Sequence, residues 1–155
     1  MKKENKTVRM AGETKHWLDE LIFKEQIKLN ERIRSGLVND LEEKISSDFS
    51  EQLKGLSLNI NLNVTAGSII EKAYFETQKC NWEEIARSLK QVEETSEHGF
   101  KGATPKLSLD VDVLRGLELY QLEFQRLEVY SNAQRPVKLS YVIKLVIYAY
   151  WLMKK

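Results

Sequence analysis

The stretch from Leu139 to Met153, LSYVIKLVIYAYWLM, is apolar on nearly every side: Val142, Ile143, Leu145, Val146 and Ile147 stand with the aromatics Tyr141, Tyr148, Tyr150 and Trp151. A helix of that composition has to leave water on several faces at once. At 15 residues, with Lys144 inside it, the stretch falls short of the roughly 17 to 25 that cross a bilayer. The spacing therefore predicts a buried helix, covered within the chain or between chains, starting at a Ser140 cap after a break at Arg135 and Pro136. Apolar residues at 42% and charged residues at 30% are enough for a folded body around it rather than a disordered chain.

The clearest local order lies at the other end. In Lys6 to Met10, KTVRM, Val8 and Met10 alternate with Thr7 and Arg9, the period of a short strand with one dry and one wet face. Gly12 and Glu13 lead into Trp17, Leu18, Leu21, Ile22 and Phe23, whose steps of three and four describe one side of a helix. A second helix is expected from Asn30, a strong N-cap, with Ile33, Leu37 and Leu41 at steps of four, running out near Ile45. The order is strand, helix, helix.

With TVRM as the strand, ETKHWLDEL as the first helix, KLNERIRSGLVNDL as the second and small Gly36 where second helices could cross, residues 5–45 of an expected unit spanning 1–45 resemble the ribbon-helix-helix unit of the Arc, MetJ and CopG-type repressors. One departure is the link KEQIK, which lacks the Gly that often stops a first helix. The resemblance implies a DNA-binding and dimerisation unit, in which the ribbons of two copies pair antiparallel and enter the major groove. Asn5, Thr7 and Arg9 would then face base edges. Arg can chelate guanine O6 and N7, Asn can do so to adenine N6 and N7, and Thr can touch the thymine methyl. Lys28 and Asn30, at the expected start of the second helix, would bring charge and free amides to a phosphate. On residue type alone, a solvated strand face or an ordinary capped helix explains the same side chains.

Farther on, SLNINLNV puts Leu58, Ile60, Leu62 and Val64 on one face and Asn59, Asn61 and Asn63 on the other. Asn is depleted from strands, so the three amides are a second candidate DNA-reading face, with a solvated sheet face or a contact to another domain as the alternative. Thr65 can cap a helix carrying Ile69, Ile70 and Ala73, and Asn81 one carrying Trp82, Ile85, Ala86 and Leu89. Glu93 to Pro105 reads as a surface loop. KLSLDVDV alternates again, with Leu107, Leu109 and Val111 on one side and Ser108 and Asp110 on the other. A helix from about Asp112 to Tyr130 follows, striped by Leu114, Leu117, Tyr120, Phe124 and Leu127.

IKLNERIRSGLVNDL from Ile27 lies over VKLSYVIKLVIYAYW from Val137 without a gap, matching Lys28 with Lys138, Asn30 with Ser140 and Ile33 with Ile143. The expected class is thus α+β, mostly helical. The N-terminal unit is followed by a C-terminal α+β domain over 56–155, in which strand-helix-helix units at 57–92 and 106–153 pair their ribbons as a pseudo-dimer. The alternative is that short strands and similar caps give such periods in any α+β chain. Asp110 and Asp112 would repel phosphates, so the third ribbon is not expected to touch DNA.

A net charge of +1 excludes indiscriminate coating of nucleic acid, and any DNA contact has to come from a local patch. Lys2, Lys3, Lys6 and Arg9 against Glu4 make one on the first ribbon. Cys80 is the sole cysteine, which fits a reducing compartment, and MKKENKTVRM lacks the apolar core of a signal peptide. A cytoplasmic protein is expected. His16 and His98 have no metal-ligand spacing, and no phosphate loop, GxSxG or HExxH occurs, so no enzyme, metal or cofactor is expected.

The expected function is that of a sequence-specific double-stranded DNA-binding protein of bacterial or mobile-element type, homodimeric or higher. The resembled family contains transcriptional repressors and plasmid origin or relaxosome factors that work beside a relaxase in conjugation. An antitoxin-type autoregulator, or a protein-interaction module without nucleic acid, is the alternative.

Overall fold

The C-terminal helix runs from Leu139 to Lys154 (α6), and every residue from Val142 to Tyr150 is buried. The computed structural model describes residues 2–95, 99–132 and 135–155. In chain order the other elements are β1 (Lys3–Thr7), α1 (Gly12–Arg34), α2 (Leu37–Asp48), α3 (Ala66–Glu76), α4 (Trp82–Thr95), β2 (Lys106–Asp110) and α5 (Val111–Phe124), with a 3-10 turn at Glu128–Tyr130. The class is α+β and mostly helical: among the described residues there are six α-helices and one two-stranded antiparallel sheet. The chain divides into two compact units, Met1–Leu21 with Thr65–Lys155, and Ile22–Val64. No helix among the described residues is long and apolar enough to cross a membrane.

In the first unit α3, α4 and α5 pack on α6. The start of α1 closes another side, where the Trp17 ring lies 4.9 Å from Tyr148 and 5.7 Å from Trp151, centroid to centroid. Several polar groups of α6 find partners on neighbouring elements, which lowers the cost of burying them. Tyr148 Oη is 2.6 Å from Ser88 Oγ, and Trp151 Nε1 donates to Glu20 Oε2 at 2.6 Å. The Lys144 ammonium lies 3.0 Å from Glu93 on α4 and 3.7 Å from Glu13 on α1. Tyr141 Oη donates to the other oxygen of Glu93.

Caps set the helix boundaries, and several differ from the pattern read in sequence. Thr65 caps α3 as expected, in a reciprocal box with Ser68. The third strand stops at Asp110 instead of running through Val111. The Asp110 carboxylate accepts from Asp112 N at 2.9 Å and Val113 N at 3.4 Å, which starts α5 there. That helix ends at Phe124, short of Tyr130, because Gln125 turns inward: its Oε1 accepts from Val137 N at 2.7 Å and its Nε2 donates to Tyr130 O at 3.3 Å. Lys138, rather than Ser140, is the N-cap residue of α6. Helix α4 extends to Thr95, into the stretch expected as loop, while residues 96–98, His98 among them, lie outside the described residues.

The second unit holds two larger corrections. No helix starts at Asn30: α1 continues unbroken to Arg34, because KEQIK consists of residues that favour or tolerate a helix. The stop comes at Gly36, whose φ of 103° is the left-handed conformation that ends helices. The second correction is that Leu58 to Val64 joins no sheet, although Leu58, Ile60, Leu62 and Val64 are half-buried and the three asparagines exposed, as the alternation predicts. Val64 N instead donates to Gln26 Oε1 on α1 at 3.1 Å. Nor do second and third ribbons pair, since β2 takes β1 as its partner.

Replacing Lys144 with Ala leaves two carboxylates facing each other in a largely dry site. A loss of about 3 kcal/mol is expected, the low end for breaking a buried ion pair because Glu93 keeps some access to water, and urea unfolding reads it. Burial, before any other cause, raises the phenols of Tyr120 and Tyr130 from 10.0 to about 12. A folded-state pKa above the unfolded one makes a contribution that is complete below pH 10 and disappears as pH rises toward 12. Stability should therefore fall through that window, and Tyr120→Phe should make the fall shallower.

Candidate nucleic-acid interface

The first ribbon, expected to pair with its counterpart from a second copy, pairs instead within one chain, because the buried Leu107 and Leu109 hold β2 where its free edge meets β1. The two strands form a ribbon in the register Lys3↔Asp110, Glu4↔Leu109, Asn5↔Ser108, Lys6↔Leu107 and Thr7↔Lys106. Directly opposed residues of an antiparallel pair share a face. Leu107 and Leu109 are buried, so theirs is the inner face, and it is continued by buried Val8 and Met10. The other face carries Lys3, Asn5 and Thr7 from β1, with Asp110, Ser108 and Lys106 from β2. All but the half-buried Asp110 are exposed.

Both ends of the ribbon are fastened. At one end Glu71 on α3 accepts from Asp110 N at 2.6 Å and binds Lys3 Nζ at 2.6 Å, while Val111 N donates to Lys2 O at 3.0 Å. At the other, Met10 and Ala103 exchange backbone hydrogen bonds of 2.7 and 3.1 Å. The loop reaches this close because two positions lack a Cβ. One added to Gly102 would stand 2.6 Å from Met10 O, and one added to Gly12 would collide with the Phe100 carbonyl. The Phe100 ring in turn stacks on His16 at 4.0 Å.

Arg9 sits between the anchored Val8 and Met10 and is exposed. It borders a cleft of about 630 Å³ lined also by Met10, Ala11, Gly12, Gly102, Ala103, Thr104 and Ser140. Gly12, the first residue of α1, and Ser140 in the first turn of α6 therefore line the same cleft. Lys138, the N-cap residue of α6, makes no side-chain cap, which leaves the amides of Leu139 and Ser140 without one. Amides at a helix start and a nearby guanidinium both favour an anion.

The structure thus brings Asn5, Thr7 and Arg9 together on one ribbon and its end. It places Lys28, Asn30, Asn59, Asn61 and Asn63 in the other compact unit. The expectation of free amides at Lys28 to Glu31 fails, because those residues lie inside α1. The Lys28 ammonium faces Glu25 at 3.7 Å, and Asn30 Oδ1 accepts from Gln26 at 3.0 Å. Asn59, Asn61 and Asn63 are exposed on a segment without a strand partner. Sequence reading left out Ser108 and Lys106 because the neighbouring aspartates argued against the third ribbon. The Asp110 charge is in fact engaged in capping α5, a role foreshadowed by its place two residues before Asp112 in an Asp-x-Asp pair.

Comparison with protein-family models, with curated proteins and with solved structures finds no match to this chain.

Exchanging Glu71 for Ala removes the group that holds both strands at the Lys3 end. Amide exchange at Glu4 and Lys6, whose N–H groups face β2 in this register, is expected to speed up roughly tenfold, equivalent to about 1.4 kcal/mol of local opening, while exchange in α6 stays unchanged.

Proposed function

We propose that this chain is a sequence-specific double-stranded DNA-binding protein that lays the outward face of the β1–β2 ribbon in the major groove. The observation that carries the reading is that row of exposed polar side chains on a ribbon whose opposite face is buried at Leu107 and Leu109 of β2 and, past the end of β1, at Val8 and Met10, with Glu4 and Lys6 exposed on it. Two strands about 5 Å apart fit a groove roughly 12 Å wide. Asn5, Thr7, Ser108 and Arg9 are of the types that read base edges there, and Lys106 is placed for a backbone phosphate. The cleft beside Arg9, with a helix start on either side, suits a second phosphate at the end of the ribbon. In this reading one chain supplies both strands of the element that ribbon-helix-helix proteins build from two copies.

The finer role that fits best is a repressor or an origin-binding accessory factor of plasmid transfer acting beside a relaxase, in the cytoplasm of a bacterium. The packed body formed by α3 to α6 favours this over an antitoxin, which would need only a short toxin-binding tail. A protein-interaction role without nucleic acid draws support from a different observation: Phe75, Leu119 and Leu122 are exposed on α3 and α5.

Binding of the full chain to mixed duplex DNA, followed by anisotropy at increasing salt, separates these readings. Phosphate contacts make the logarithm of affinity fall steeply with the logarithm of salt concentration, whereas an interaction module gives no binding at any salt. For a selected duplex, Arg9→Ala should lose about 1–3 kcal/mol and relax preference at one base pair, while Lys106→Ala should weaken all duplexes alike and lower the salt slope by about one. An Arg9→Ala variant that binds and discriminates like the parent removes the ribbon from the reading.

A further inference from the structure

Between Ile22 and Val64 no side chain is fully buried, and α2 has no buried residue along its length. Phe23, Ile27, Phe49 and Leu56 are 67%, 45%, 50% and 67% exposed, and the first two lie four apart on one side of α1. A unit close to 40 residues with so little interior generally depends on disulfides, a metal or association. Cys80 lies outside it, and the described residues contain no cluster of three metal-ligand side chains. Association is the remaining route.

Charge selects the partner. From Ile22 to Arg34 the chain carries Lys24, Lys28, Arg32 and Arg34 against Glu25 and Glu31, whereas α2 carries Asp40, Glu42, Glu43 and Asp48 against Lys44. A partner of one sign, nucleic acid included, is attracted by one helix and repelled by the other. A second copy related by a two-fold axis satisfies both, because whatever contact residue i makes with residue j is repeated as j with i. We propose that the Ile22–Val64 unit is a self-association surface, on which the acidic α2 of one copy packs along the basic part of α1 of the other and covers Phe23 and Ile27. This inference does not depend on DNA binding.

Sedimentation equilibrium of the full-length chain tests it. The parent should dimerise with Kd of about 10 μM or tighter, and Phe23→Glu with Ile27→Glu should leave monomer. Two surface variants guard against simple misfolding, Lys28→Glu with Arg32→Glu, and Asp40→Lys with Glu43→Lys. Each alone should self-associate at least about tenfold more weakly, and an equimolar mixture of the two should recover dimer. A parent that stays monomeric, a dimer indifferent to all three variants, or a mixture that fails to recover association overturns the proposal.

Discussion

The unbroken burial of Val142 to Tyr150 is the constraint on which the rest of the first unit depends. Each large side chain in that run contributes about 1.5–3 kcal/mol when taken from water, but only if every flank of the helix is covered. That requirement explains why elements distant in sequence converge: the start of α1 brings Trp17, α3 brings Ile69 and Ile70, α4 brings Leu89, and α5 brings Leu117. It also explains the position of the charge inside the helix. Lys144 can remain only because Glu13 and Glu93 reach it from separate elements, so the one charge in the buried run Val142 to Tyr150 also fixes which neighbours lie where.

The ribbon follows from the same packing. Two strands alone are marginal in water, and β1 is exposed along its whole length. What keeps it in place is β2, held through buried Leu107 and Leu109 and through backbone contact with α3. Gly67 of α3 lies so close to the Ser108 carbonyl that no Cβ could be accommodated. The wet face is therefore presented by a strand with almost no burial of its own, fixed by its partner and by the two fastened ends.

Much of this was legible in the chain. The apolar C-terminal helix, the α+β and mostly helical class, the Thr65 cap and the wet side of the first ribbon all follow from period and residue type, properties confined to a few neighbouring residues. What could not be read was pairing. Nothing in KTVRM or SLNINLNV states which edge is available, and the stronger alternation, Leu58 to Val64, has no strand beside it, whereas the weaker one found Lys106 to Asp110 about a hundred residues away. The strand itself also lies earlier than the alternation suggests, at Lys3–Thr7, because backbone pairing rather than side-chain period defines its limits. The misplaced helix start has a local cause. Asn30 can cap a helix, but a cap acts only where the preceding residues leave the helix, and nothing from Phe23 to Leu29 makes them do so. Gly36 was visible as a small residue, and its left-handed backbone was not.

A ribbon drawn from one chain differs physically from one drawn from two identical copies. In a symmetric ribbon both strands present the same side chains in opposite directions, and the sequence read is its own inverse. Here one strand offers Lys3, Asn5 and Thr7 while the other offers Lys106, Ser108 and Asp110, so the two sides of the face are chemically unlike. On the proposed reading, a single ribbon has a direction along the groove and recognises a site without internal two-fold symmetry. Arg9 and its cleft at one end, against the Glu71-bound Lys3 at the other, strengthen that polarity: one end is cationic and open, the other neutralised. Inverted repeats in a bound site would then have to come from a second chain, with each half-site read by a complete ribbon.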